Sequence, residues 1–294
     1  MQSFKQFSQY NITEELHQEL KDVLNAPEND RESGGYTPGR LHQDKLNKFT
    51  KKFRSLVANN KDTGIENDKP KKGSSRAVFF PKNPKKINVD GQDVKQHTAV
   101  KVAFPGALDR YTGDSHLLGE HQNSAESDWY TRQNHSMLHK ENDGSYTSNP
   151  HGVTAPVLDH HEDHDHWLEM AKAEKLNASK FSELTKTKSH PKGLHFGKFV
   201  DTLKQAHSEA HGDEHHGSIT TEAERDHIRE HPLYDATEYF MHNVGNHPGD
   251  LRLANYGVWK HPVTGKEHPV ITDYGYSNDI NKLYSKARRN QYSR

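Results

Sequence analysis

No cysteine occurs in the 294 residues, which excludes disulfides, cysteine nucleophiles and thiolate zinc sites. Apolar residues are scarce as well. They make up 30 % of the chain, against about 45–50 % (glycine included) in an ordinary globular domain. A thin core and much solvated loop are therefore expected. No run approaches the roughly 18 consecutive apolar residues of a membrane span. The start, Met1-Gln2-Ser3-Phe4-Lys5-Gln6-Phe7, lacks the apolar stretch of a secretory signal, so no membrane partner is expected. There is no surplus of one charge either. Forty Lys and Arg stand against forty-one Asp and Glu, so the overall electrostatic footprint of a nucleic-acid binder is missing. What the chain does have is histidine, 24 in all. Protonating half of them would add about twelve positive charges near pH 6.5.

The length suggests one large or two small domains, at roughly 100–200 residues each. Residues 11–24 read as a helix, with Asn11 as N-cap, Glu14 three residues on, and Leu16, Leu20, Val23 and Leu24 on one stripe. A second helix is expected over 41–58, and 59–73 is polar. Then the period changes to that of strands, at Arg76–Phe80 and His97–Phe104, with a polar connector containing Asp90-Gly91 between them. A polar helix is expected over 117–139. Strands follow at Ala155–His160 and His166–Met170, then helical pattern over 172–245. Asn255–Lys260 and Pro269–Thr272 read as two strands of a hairpin closed by His261-Pro262-Val263-Thr264-Gly265-Lys266. A basic helix over 279–289 carries Lys282, Lys286, Arg288 and Arg289, which reads as a solvated face.

The most informative segment is Asn246-His247-Pro248-Gly249-Asp250-Leu251-Arg252-Leu253-Ala254-Asn255, followed by Pro269-Val270-Ile271-Thr272-Asp273-Tyr274-Gly275. An Asp on a loop, an Asn five residues later and a second Asp at the end of the return strand are the residue types that phosphoryl transfer needs. One carboxylate orients the attacking hydroxyl and accepts its proton, and the other carboxylate and the amide oxygen hold magnesium across the phosphates. Magnesium prefers such hard oxygen ligands. The hairpin is expected to fold Asn255 back beside Asp273.

These motifs resemble the protein-kinase superfamily. Asp250 to Asn255 matches the catalytic-loop D-L-x-x-x-N, and Asp273-Tyr274-Gly275 matches D-F-G with Tyr for Phe. Gly249 before Asp250 is closer to the small-molecule (aminoglycoside) kinases than to protein kinases. Thr98-Ala99-Val100-Lys101-Val102 resembles V-A-I-K. The resemblance implies Asp250 as catalytic base, Asn255 and Asp273 as magnesium ligands, and Lys101 as the grip on ATP phosphates. Glu126 would be the ion-pair partner of Lys101, with Glu120 the alternative. Gly73, Ser74 and Ser75 would form the phosphate loop, with Arg76 contributing, and Glu169 and Ala171 would hold adenine at a hinge. The loop departs from the family in having one glycine. Arg252 does not decide the acceptor. Nineteen residues follow Gly275, too few for an activation segment and a peptide-docking platform.

The resemblance implies an α+β, two-lobed kinase-like fold. A small antiparallel sheet lobe would span 73–171 and a reduced helical lobe 172–294, after an N-terminal helical extension over 15–72. The expected activity is ATP- and magnesium-dependent phosphotransfer to a host or virion protein, or to a small molecule. The second reading is a catalytically inert kinase-like virion or host-interacting protein that binds nucleotide at most. Residues 1–14 carry a resemblance of their own. Ser3-Phe4-Lys5-Gln6-Phe7 followed by Ile12-Thr13-Glu14 is similar to the capsid-targeting peptides of contractile-tailed bacteriophages, which are cut after a Leu/Ile-x-Glu site. That implies cleavage after Glu14, packaging in the capsid interior of a phage head and delivery to the host cytoplasm. Leu118-Gly119-Glu120 matches the tripeptide too, and an ordinary amphipathic leader is the alternative. His160-His161-Glu162-Asp163-His164-Asp165-His166 and the residues His211, Asp213, Glu214, His215 and His216 have metal-ligand chemistry. Their setting favours solvated loops, and a histidine-rich metal-binding protein is a third reading.

Overall fold

Thr98-Ala99-Val100-Lys101-Val102-Ala103 is rich in β-branched residues, which favour a pleated backbone. In the computed structural model it is the middle strand of a five-stranded sheet. The structure describes residues 66, 71–72, 76–103, 122–127, 135–160, 167–211, 218–244 and 251–274. The expected helices at 11–24, 41–58 and 279–289 lie outside these residues. The strands are β1 (Lys71–Lys72), β2 (Arg76–Phe79), β3 (Lys85–Val89), β4 (Gln92–Gln96), β5 (Thr98–Ala103), β6 (Leu138–Lys140), β7 (Tyr146–Ser148), β8 (Val157–His160), β9 (Trp167–Ala171), β10 (Glu174–Lys175), β11 (Tyr256–Lys260) and β12 (Glu267–Ile271). The helices are α1 over 122–127, α2 (Ala178–Leu184), α3 (Phe196–His211), α4 (Glu222–Arg229) and α5 (Pro232–Val244). The class is thus α+β.

The central sheet is antiparallel in the order β1-β2-β5-β9-β8. A three-stranded antiparallel sheet, β10-β11-β12, contains the expected hairpin, in register from Tyr256 opposite Ile271 to Lys260 opposite Glu267. A four-stranded sheet, β4-β3-β7-β6, was not expected. Its first hairpin is the connector read as polar loop. Asp90 (φ 50°) and Gly91 (φ 78°) form its two-residue turn, the left-handed pair that matches the twist of the flanking strands. Its second hairpin corrects the expected helix over 117–139. A helix is present over 122–127, but Leu138–Lys140 is a strand paired with Tyr146–Ser148. The few apolar residues of this stretch do not set a helical period. The turn ending at Gly144 brings the chain back, with the Glu141 amide donating to the Ser145 carbonyl at 2.9 Å.

The helical stretch divides where the chemistry of its ends requires. The Asn177 side chain accepts the Lys180 amide at the start of α2, and Thr221 and Glu224 form a reciprocal capping box on α4. Pro232, which lacks an amide hydrogen, opens α5, so the helical pattern breaks between α4 and α5. Between the two, the buried His231 accepts the Leu233 amide on Nδ1, which leaves Nε2 to donate to the Thr185 carbonyl at 2.9 Å.

A contiguous core lies between the sheets and α2, α3 and α5. Val89, Ala155, Val157 and Leu168 from the sheets meet Phe181, Phe199, Phe240, Trp259 and Tyr274 there. The Phe181 ring stands edge-on to Phe196 at 5.0 Å, and Phe240 edge-on to Tyr274 at 5.7 Å. Ser148 on β7 bonds both Asp90 and, at 2.6 Å, His261 Nε2. His261 Nδ1 accepts backbone amides, so the ring donates to Ser148, which in turn donates to Asp90. This relay ties the four-stranded sheet to the β11–β12 hairpin and leaves the serine without a base. Among the described residues no helix is long and apolar enough to cross a membrane.

Histidines in this core are held neutral. Burial lowers the pKa of His135, His231, His261 and His268, the last to about 4. The unfolded chain then binds more protons than the native one between the native values and about 6.5. Their contribution is fully present above that pH and is lost as pH falls toward 4. Thermal unfolding in constant ionic strength should therefore show Tm dropping by several degrees between pH 7.5 and 5. A Tm that stays level or rises over that interval would contradict this assignment.

Candidate functional site

Residues paired across strands share a face of the sheet. Lys101 on β5 is opposite Val78 on β2, and Ala103 is opposite Arg76. Arg76 and Lys101 therefore stand two positions apart on one face, both directed at α1. On that helix Asn123 and Glu126 are three residues apart and so point the same way.

The result is a buried charge cluster centred on Glu126, which has no exposed surface. Lys101 Nζ donates to Glu126 Oε2 at 2.7 Å. Arg76 Nη2 donates to Glu126 Oε1 at 2.8 Å, and Arg76 Nη1 donates to Asn123 Oδ1 at 3.2 Å. The Tyr274 amide adds a bond to Glu126 Oε1 at 3.3 Å, and its hydroxyl donates to the Glu126 carbonyl. Asp273 joins from the end of the hairpin. Its Oδ1 accepts from Arg76 Nη2 and lies 4.0 Å from Lys101 Nζ, which also donates to the Thr272 carbonyl. Exposure divides the four charged side chains. Arg76, Lys101 and Glu126 are buried, whereas Asp273 keeps 47 % of its side chain exposed.

Among these four side chains two anions balance two cations, which is how such groups tolerate a low-dielectric setting, and Arg252 adds positive charge near Asp273. Burial alone would raise the pKa of Asp273, but Arg76 and Lys101 outweigh it and hold the carboxyl below its ordinary value. For Lys101, burial and the neighbouring Arg76 prevail over Glu126 and Asp273, and its pKa is lowered. Burial opposes the charge on Arg76, yet Glu126 and Asp273 prevail and its pKa is raised.

Asn255 closes the 3-10 turn Leu253–Asn255 that leads into β11. The Thr272 amide donates to its carbonyl at 2.8 Å and the Thr272 hydroxyl at 3.1 Å, so the hairpin register puts Asn255 one backbone step from Asp273. This arrangement depends on Gly257. A Cβ there would lie 2.6 Å from the Ala173 Cβ, too close for any other residue between β10 and β11.

The structure thus brings Lys101, Glu126 and Asp273 together, and Asn255 meets this end of the hairpin through its backbone carbonyl, which Thr272 binds. It does not bring Glu169 or Ala171 there. Glu169 pairs with Val100, one residue from Lys101 and therefore on the opposite face. Its carboxylate accepts from Lys85 at 2.9 Å, and Lys85 also pairs with Asp159. Ala171 pairs with Thr98 and its amide donates to the Pro156 carbonyl, so that donor is already committed. Asp250, Glu120, Gly73, Ser74 and Ser75 lie outside the described residues. The central part of Arg76 was missed by sequence reasoning, which placed it at the edge of a phosphate loop. The available signal was an arginine opening a strand otherwise composed of Ala77, Val78 and Phe79.

Among the described residues, the part of this cluster open to solvent is a single carboxylate, a donor of the type magnesium takes. The half-exposed Asp273 carboxylate, held ionised, supplies hard oxygens. Lysine and arginine on the same side supply phosphate donors. Of the remaining candidates, the histidine-rich stretches 161–166 and 212–217 lie outside the described residues. Among the described residues no group of three or more histidine or acidic side chains could hold a metal ion. No protein-family model and no curated protein matches the chain.

Proposed function

We propose that the chain is an ATP- and magnesium-dependent phosphotransferase with a reduced, two-lobed kinase-like architecture. The observation that carries the reading is the buried Lys101–Glu126 ion pair at 2.7 Å, drawn from a strand and a following helix, with Asp273 at its edge. Lys101 holds the nucleotide phosphates, and Glu126 fixes the lysine so that little freedom is lost on binding. Asp273 and Asn255 would hold magnesium, which would supply charge neutralisation to the phosphates. Asp250 orients the acceptor hydroxyl and takes its proton. The acceptor is a host or virion protein, or a small molecule. Residues 1–14 extend the proposal to a phage protein cut after Glu14 and packaged in the head before reaching the host cytoplasm.

One observation favours the second reading, an inert nucleotide-binding protein: Arg76 bonds the carboxylate that magnesium would use. Asp250→Asn decides between them. Turnover of MgATP should fall by about a hundredfold or more, while circular dichroism and Tm stay at their wild-type values. Unchanged turnover in this variant would defeat the assignment of the base. Stabilisation of the wild type by MgATP without any transfer would support the inert reading.

A further inference from the structure

Asp273 is the only member of the four-charge cluster with much of its side chain exposed, so a charged ligand arriving from solvent meets it first. Its Oδ1 is already bonded to Arg76. The four charges balance as they stand, and Arg252 adds positive charge near Asp273. A divalent cation added to Asp273 would share one carboxylate with a guanidinium, where like charges repel. The two cations therefore compete for it. Arg76 can leave Asp273 and keep its other partners, Glu126 at 2.8 Å and Asn123 at 3.2 Å. Lys101 is less suited to such a move, because Glu126 and the Thr272 carbonyl both hold its ammonium. A guanidinium released from one oxyanion finds equivalent geometry on a phosphate, which it can bind with two parallel hydrogen bonds.

We propose that Arg76 is a resident cation that occupies Asp273 until a metal–polyphosphate complex arrives, and then turns from the carboxylate to the phosphate oxygens. The identity of that ligand as a nucleoside triphosphate rests on the phosphotransferase reading. The exchange itself involves only Arg76, Asp273, a divalent cation and phosphate oxygens, and inorganic tripolyphosphate can probe it. Arg76 therefore supplies in side-chain charge part of what a glycine-rich loop supplies in backbone amides. It also keeps the metal site closed to free divalent ions.

Calorimetric titration of the full chain tests this with two probes, Mn2+ alone and tripolyphosphate without metal. Wild type, Arg76→Gln and Asp273→Asn are compared at pH 7.5. One charge-assisted hydrogen bond corresponds to roughly a tenfold change in affinity or more. Arg76→Gln should bind Mn2+ about tenfold more tightly than wild type and tripolyphosphate about tenfold more weakly. Asp273→Asn removes the carboxylate that competes for Arg76 and should bind tripolyphosphate about fivefold to tenfold more tightly. Equal Mn2+ affinity in wild type and Arg76→Gln would overturn the proposal, as would unchanged or weaker tripolyphosphate binding in Asp273→Asn. If Arg76→Gln does not fold, the Asp273→Asn comparison decides alone, since that side chain is half exposed. Both affinity changes without any phosphate transfer would remove the phosphotransferase reading and retain the exchange. Transfer without the affinity changes would do the reverse.

Discussion

Glu126→Ala should cost the folded protein about 3–5 kcal/mol, the range seen when one partner of a buried ion pair is removed. Glu126 is fully buried and accepts from Arg76, Lys101 and the Tyr274 amide. Without it, two buried cations face the single carboxylate of Asp273, and the Tyr274 amide loses an acceptor. The four side chains, balanced before, then carry a net charge of +1 with both cations buried. Glu126→Gln keeps the volume and an acceptor for the amide but not the charge, so it should recover only a minority of the loss. Urea denaturation at pH 7.5 measures both, and the alanine variant should also lose roughly 6–20 °C in Tm. A loss below about 1 kcal/mol for Glu126→Ala, the range of an exposed pair, would mean that the cluster is not sealed as described.

This cluster was partly legible in the sequence, and what was legible depended on spacing. Lys101 and Asp273 sit in motifs whose neighbours identify them. Glu126 stands on the following helical stretch, where a partner for Lys101 was expected. Arg76 could not be found that way. Its place follows from the register, in which Val78 rather than Arg76 lies opposite Lys101, and a register is a property of two strands together. The same holds for the face that Glu169 takes. A shift of one residue along β9 decides which face a side chain takes, and only the pairing of Leu168 with Lys101 shows that Glu169 is on the other.

The fold divides similarly. The strands β2, β5, β9, β11 and β12 were legible because their β-branched and aromatic runs end at turn residues. The four-stranded sheet was not, because Lys85-Lys86-Ile87-Asn88-Val89 and Gln92-Asp93-Val94-Lys95-Gln96 are mostly polar. They place few apolar side chains in the core, among them Ile87 and Val89, which is too few for alternation to stand out. Asp90-Gly91 is the strong local signal there, a pair suited to a two-residue hairpin turn. Met137 and Leu138 were assigned to a helix because apolar residues occur sparsely on either side. Tertiary pairing with β7 overrides that weak preference.

The second large effect concerns Asp273. Asn has nearly the same shape and can still accept from Arg76, so Asp273→Asn should alter stability by only about 1 kcal/mol. The chemistry is a different matter. The amide carries no charge to hold a divalent cation, and the charge that develops on the transferring phosphoryl group loses its counter-ion. Asn255, one backbone step away across the hairpin, cannot replace it, since an amide oxygen is a weaker ligand than a carboxylate for a hard cation. The substitution therefore separates a structural salt bridge from a metal ligand.

The most direct measurement is transfer of the γ-phosphate from MgATP, followed with labelled nucleotide, for wild type and Asp273→Asn at matched folded concentration. The account predicts magnesium-dependent transfer by the wild type and a fall of about a hundredfold or more in the variant, with the unfolding midpoint nearly unmoved. Equal transfer by the two proteins, or none by either under conditions where MgATP binds, would contradict it.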